Sequence, residues 1–104
     1  MKAKTFKKAS DKDAVRRLLT QDMPMVVRFY RASCPACQAS EHAWRDFCKE
    51  DRPYMAFAIE EVAIPDEMLD HIPAFPTYAK HDSRGNHHVV GVQNDLAKSL
   101  RLIH

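Results

Sequence analysis

A chain of 104 residues, 45% hydrophobic and 29% charged, has the size and composition of one soluble globular unit spanning residues 1–104. Its formal charge of +2 comes from scattered basic residues, which argues against a nucleic-acid partner. No apolar run reaches membrane-spanning length, and the basic opening at residues 1–8 is not followed by the apolar stretch of a secretory signal. Three cysteines, an odd number without such a signal, do not make a structural disulfide framework. They fit a cytoplasmic protein whose thiols are kept or cycled reduced.

Residues 3–7 form a short strand candidate. Ser10 is positioned to cap a helix, with Asp11 and Asp13 favouring its N-terminus and Val15, Leu18 and Leu19 forming its apolar stripe. Pro24 closes the connection into a β-branched, aromatic strand at 25–31. Helical spacing then takes over from Pro35 to Lys49, with a stripe through Cys37, Ser40 or Glu41, Trp44, Phe47 and Cys48, until Asp51-Arg52-Pro53 stops it. Residues 54–60 read as a second apolar strand, and Pro65 with the following acids opens a short helix over 65–70. Residues 75–80 and 87–91 pair as a hairpin about the turn at 82–86. Asn94 caps a last helix that faces Leu96, Leu100 and Ile103 inward.

The order β-α-β-α-β-α-β-β-α implies parallel crossovers early and an antiparallel edge late. The expected architecture is an α/β fold, a central mixed sheet flanked by helices on both faces.

Cys34-Pro35-Ala36-Cys37 sits at the joint between strand and helix. This spacing puts one sulfur at the helix N-cap, against unpaired N–H groups and the positive end of the dipole, and the other one turn in. Such a pair suits a reversible disulfide. Half of a metal knuckle and two unrelated thiols are the alternatives.

Together with Phe75-Pro76-Thr77 some forty residues later and Val90-Gly91 before the last helix, this order resembles thioredoxin along essentially the whole chain. The resemblance implies a thioredoxin fold and a protein-disulfide oxidoreductase, with Cys34 as exposed nucleophile and Cys37 as buried resolving thiol. It implies a cis peptide bond at Pro76, holding the Phe75 backbone beside the sulfurs. Ser33, Pro35, Ala36, Phe75, Pro76 and Gly91 become the expected substrate contacts. The implied partners are disulfide-containing proteins and a reductase, either thioredoxin reductase or glutathione, acting on a monomer. No cofactor is expected beyond the redox-active disulfide, with glutathione a candidate co-substrate.

Three departures from the family pattern matter. Ser33 stands where thioredoxins carry tryptophan. Pro-Ala between the cysteines is nearer to glutaredoxins, and Gly91-Val92-Gln93-Asn94-Asp95-Leu96 partly resembles their glutathione-binding stretch. A glutathione-dependent enzyme and a weakly active binding module on the same fold are therefore competing expectations. The largest departure is Arg28, where thioredoxins bury an aspartate thought to move the resolving cysteine's proton. Arginine cannot act as that base. Its charge is expected to favour the Cys37 thiolate, with Glu60 or Glu61 as its partner. Cys48, eleven residues beyond Cys37 on one helix, is about 16 Å away, too far for a bridge, and reads as a core thiol. The six histidines lack a ligand spacing to match the cysteine pair, so no metal is expected.

Overall fold

Five strands, β1 (Ala3–Phe6), β2 (Met25–Tyr30), β3 (Met55–Glu60), β4 (Thr77–Asp82) and β5 (Gly85–Val90), form one sheet in the order β1-β3-β2-β4-β5. β1 and β2 run parallel to β3, whereas β4 is antiparallel to β2 and β5 to β4. The computed structural model describes residues 1–103, so His104, the end of the expected unit, lies outside the described residues.

β2 is the central strand: its run is buried on both faces and, Arg28 apart, apolar, as suits a strand covered from both sides. Met25, Val27 and Phe29 point into one cluster with Phe6, Val15, Phe57, Ile59 and Ile64. Helices α1 (Lys12–Leu19) and α3 (Asp66–Leu69) close that face through Leu18, Leu19, Met68 and Leu69. Val26 points the other way, into a cluster of Trp44, Phe47, Tyr54, Tyr78, Leu96 and Leu100 beneath α2 (Pro35–Lys49) and α4 (Leu96–Ser99). Trp44 and Phe47 are each 5% exposed, and burial of such side chains contributes about 1.5–3 kcal/mol apiece. That contact clamps α2 to the sheet and so fixes where its N-terminus points.

Two helix ends differ from expectation. Ser10 falls inside a 3-10 turn, Ala9–Asp11, and α1 starts only after it with Asp11 at the N-cap. Asp95, not Asn94, caps α4, its Oδ1 accepting the Lys98 N–H at 3.2 Å. A cap lies two or three residues before the donor it serves, and the burial of Leu96 and Leu100 sets the register that puts Asp95 there. α4 is short because Arg101 adopts a left-handed conformation (φ 57°). The Arg101 and Leu102 N–H groups turn back to the Lys98 and Ala97 carbonyls, which closes the helix end. Ile103 thus lies beyond the helix, half-buried, donating its N–H to the Tyr54 hydroxyl.

Candidate active site

The chain leaves the sheet at Tyr30 and enters α2 at Pro35, a first helical position where proline's missing N–H leaves no bond unmade. Cys34 is the N-cap, in extended conformation, and its Sγ accepts the Cys37 N–H at 3.2 Å. Cys37 lies on the buried face of α2, only 2% exposed, and its Sγ accepts the Arg31 N–H at 3.4 Å. Both cysteines are free thiols. The Cys34 thiol also reaches the Phe75 carbonyl at 3.6 Å. The Phe75–Pro76 bond is cis, Pro76 is buried, and the Pro76 carbonyl accepts the Gly91 N–H at 2.8 Å. Gly91 has φ +87°, a conformation side-chain-bearing residues rarely adopt, so glycine permits this close of the loop. The structure therefore gathers Cys34, Cys37, Phe75, Pro76 and Gly91 at one end of the sheet. Ser33 and Pro35 flank Cys34 on the exposed side, with Ala36 half-buried.

The two sulfurs are driven in opposite directions. A hydrogen bond from the Cys37 thiol, with the Cys37 and Ala36 N–H groups and the Arg31 charge, holds the Cys34 pKa below the usual thiol value against the opposing effect of burial. Burial above all pushes Cys37 up, reinforced by its interaction with Cys34. Cys48 is also pushed up by burial, to about 11, which makes it an inert thiol. The pair thus consists of one half-buried sulfur held towards the thiolate and one sheltered sulfur held towards the thiol.

Arg28 is 1% exposed on the α2 side of β2, as strand alternation requires. Its partner is Glu41 at 3.0 Å, not Glu60 or Glu61. Glu41 follows Cys37 by one helical turn and so hangs over β2, whereas Glu60 lies alongside Tyr30 in the sheet and Glu61 pairs with Arg31. The Arg28 guanidinium also donates to the Cys37 carbonyl at 2.7 Å and the Ser40 hydroxyl at 3.1 Å, tying down the first turns of α2. Its charge does pull the Cys37 pKa down, but this is the smallest of the influences there and burial outweighs it. The Arg28 charge thus acts on Cys37 in the expected direction but is outweighed by burial, and the hydrogen bonds of its guanidinium chiefly anchor the helix.

Sequence reasoning gave Arg31 no role, although a cation three residues before Cys34 at a strand end was a usable signal. Its guanidinium lies 4.5 Å from the Phe75 ring centroid, and its Nε donates to Glu61 at 2.8 Å. Tyr30, Arg31, Ala32, Cys37, Gln38 and Glu41 line a cavity of about 250 Å³ beside the buried sulfur. Among the described residues no group of three or more His, Cys, Asp and Glu side chains is placed to hold a metal ion. Among the described residues no helix is long and apolar enough to cross a membrane.

No protein-family model and no curated protein sequence matches the chain. Solved structures do. A thioredoxin from Trypanosoma brucei brucei superposes with a TM-score of 0.76 at 17% identity, covering 96% of this chain and 88% of that one. The chain has the thioredoxin fold. Mitochondrial thioredoxin 3 from Saccharomyces cerevisiae gives a TM-score of 0.72 at 16% identity over 95% of this chain and 93% of its own. Thioredoxin f from spinach chloroplast gives 0.69 at 15% identity, over 96% and 91%. At such identities the likeness rests on backbone arrangement. The thioredoxin fold here carries Cys34 at the N-terminus of its central-face helix, directly opposite the cis peptide bond at Pro76.

Proposed function

We propose that this protein is a thiol–disulfide oxidoreductase that reduces or exchanges protein disulfides through a Cys34–Cys37 dithiol. The observation that carries this reading is the N-cap sulfur of Cys34, bonded by the Cys37 N–H with a second thiol buried beneath it. The Cys34 thiolate attacks a substrate disulfide, forming a Cys34–substrate bond while one substrate sulfur leaves and takes up a proton. Cys37, as thiolate, then attacks the Cys34 sulfur, the second substrate thiol departs, and the two-electron oxidation leaves a Cys34–Cys37 disulfide. With Arg28 in place of a buried carboxylate, the Cys37 proton leaves to solvent, for which the cavity beside the sulfur offers a route. The Phe75 carbonyl, 3.6 Å from the Cys34 sulfur, supports a role for Phe75 in lining up a substrate backbone. A reductase or glutathione in a reducing cytoplasm returns the pair to thiols.

The test is insulin reduction by the purified protein, driven in parallel by thioredoxin reductase with its nicotinamide donor and by glutathione with its own reductase. Turnover that requires both Cys34 and Cys37 is the expected result. Faster turnover with thioredoxin reductase favours a thioredoxin-like cycle, and faster turnover with glutathione a glutaredoxin-like one. No turnover in either arm would leave a binding module as the better reading.

A further inference from the structure

The rim around Cys34 carries little charge of its own: Ser33, Pro35 and Ala36 flank it in the chain, and Phe75 and Pro76 face it. The guanidinium of Arg31 is the cation that reaches this rim, and it is held there in a defined orientation. Its Cζ lies over the Phe75 ring, 4.5 Å from the centroid, and Nε donates to Glu61 at 2.8 Å. Phe75 in turn places its carbonyl 3.6 Å from the Cys34 sulfur, so the guanidinium lies one side chain away from the reacting atom. Among the described residues the two terminal nitrogens of Arg31 have no hydrogen-bond partner, and the side chain is 53% exposed. A planar fork that sits over an aromatic ring, is tethered at Nε and is free at both tips is arranged to grip a carboxylate with two parallel bonds. Because it is already oriented, it loses little freedom on doing so.

We propose that Arg31 is a specificity-determining residue that selects peptide disulfides bearing an acidic side chain next to the reacting cysteine. The proposal rests on the redox reading of Cys34 and Cys37. A substrate backbone aligned along Phe75 carries its neighbouring side chains past the Arg31 fork while its sulfur meets Cys34. An aspartate or glutamate there pairs with the free nitrogens, whereas a lysine meets a like charge. Glu61 opposes the preference, since its carboxylate partly neutralises the same guanidinium and repels an incoming acid. The selectivity is electrostatic and exposed, so it amounts to a few-fold rather than to an absolute choice, and it weakens as salt is added.

The experiment uses three short peptides differing only in the residue beside a single cysteine, aspartate, asparagine or lysine, each activated as a 2-pyridyl mixed disulfide. Attack by the Cys34 thiolate on the peptide sulfur forms the protein–peptide disulfide and releases 2-thiopyridone, whose absorbance gives the second-order rate constant. Because Arg31 also influences the reactivity of Cys34, the readout is the ratio between peptides, in which any common change in thiol reactivity cancels. The wild-type protein is expected to react about threefold to tenfold faster with the aspartate peptide than with the lysine peptide, the order of a single exposed charge contact with its repulsive counterpart. Arg31→Gln is expected to bring that ratio to near one, and Glu61→Gln to raise it. Near-equal rates for all three peptides in the wild type, or an unchanged ratio in Arg31→Gln, would overturn the specificity role while leaving the redox reading intact. No thiopyridone release from any peptide would overturn both.

Discussion

Cys34 and Cys37 share a helix turn yet differ in chemistry because one occupies the N-cap and the other the buried face behind it. The largest influence lowering the Cys34 pKa is the hydrogen bond from the Cys37 thiol, ahead of the two backbone N–H groups. Alkylation of the reduced protein by iodoacetamide across pH is therefore expected to modify Cys34 first, with an inflection below the ordinary thiol value of about 8.5. In Cys37→Ala the thiol donor is gone, so the Cys34 inflection should move up, though the remaining N–H bonds and Arg31 hold it short of a fully exposed thiol. An inflection that stays put would mean that the backbone alone activates Cys34. This pair was legible in the sequence because N-cap geometry follows from spacing and from proline at the first helical position. For Arg31 the sequence shows its nearness to Cys34 but not its place over Phe75, which depends on how a loop from one strand meets a loop ahead of another.

At the scale of the element, α2 is held by its apolar stripe from below and by the Arg28 guanidinium at its first turns. Arg28→Met keeps most of the buried volume but removes donors to the Cys37 carbonyl and the Ser40 hydroxyl. Glu41 is exposed enough to turn to water, and Ser40 still donates to the Cys37 carbonyl at 3.0 Å. The expected loss in a urea titration is about 2 kcal/mol, in the range of a buried hydrogen-bonding group left incompletely paired. The Cys37 alkylation inflection should rise only slightly, because burial dominates it. A large rise in that inflection with no loss of stability would instead restore an electrostatic role for Arg28. Alternation within β2 predicted which face Arg28 takes. Its partner was not predictable, because the rotation of α2 that brings Glu41 over the strand is set by tertiary packing. The left-handed Arg101 likewise shortens α4 with no glycine to announce it.

Across the whole molecule, the element order read from hydrophobic periodicity matches the observed one. The crossovers through α1 and α2 give parallel strands and the tight turn gives the antiparallel β4–β5 pair, whereas the connection through α3 leads into β4, which runs antiparallel to β2. What the pattern did not reveal is a polar cluster at the sheet end remote from Cys34. Lys80 and Asp82 are both buried and pair at 2.8 Å, and the Tyr54 hydroxyl donates to Asp82 at 2.6 Å. Lys80 carries no distinguishing signal in the sequence, because its burial depends on packing against residues from a different part of the chain. The Lys80 ammonium, followed by Tyr54, holds the Asp82 pKa at about 2. A carboxylate with a depressed folded-state value contributes stability above its unfolded value of about 3.9, and loses it as pH falls through the folded value. Asp82→Asn should therefore cost about 3 kcal/mol at neutral pH, because it leaves a buried ammonium without its counter-charge. The gap from wild type should narrow between about pH 4 and pH 2 in thermal melts. A gap that stays constant across that window would mean the pair is not what holds this end together.

The division of labour between the two cysteines is tested most directly by trapping. Cys37→Ser protein, reduced and then mixed with an excess of a disulfide-bonded protein such as insulin, is digested under acid conditions and mapped by mass spectrometry. An attacking Cys34 with no resolving thiol behind it must accumulate a Cys34–substrate disulfide, while the matching Cys34→Ser protein accumulates none and Cys48 stays free in both. Substrate linked to Cys37 in the Cys34→Ser protein as readily as to Cys34 in the Cys37→Ser protein, or linked mainly to Cys48, would contradict the account.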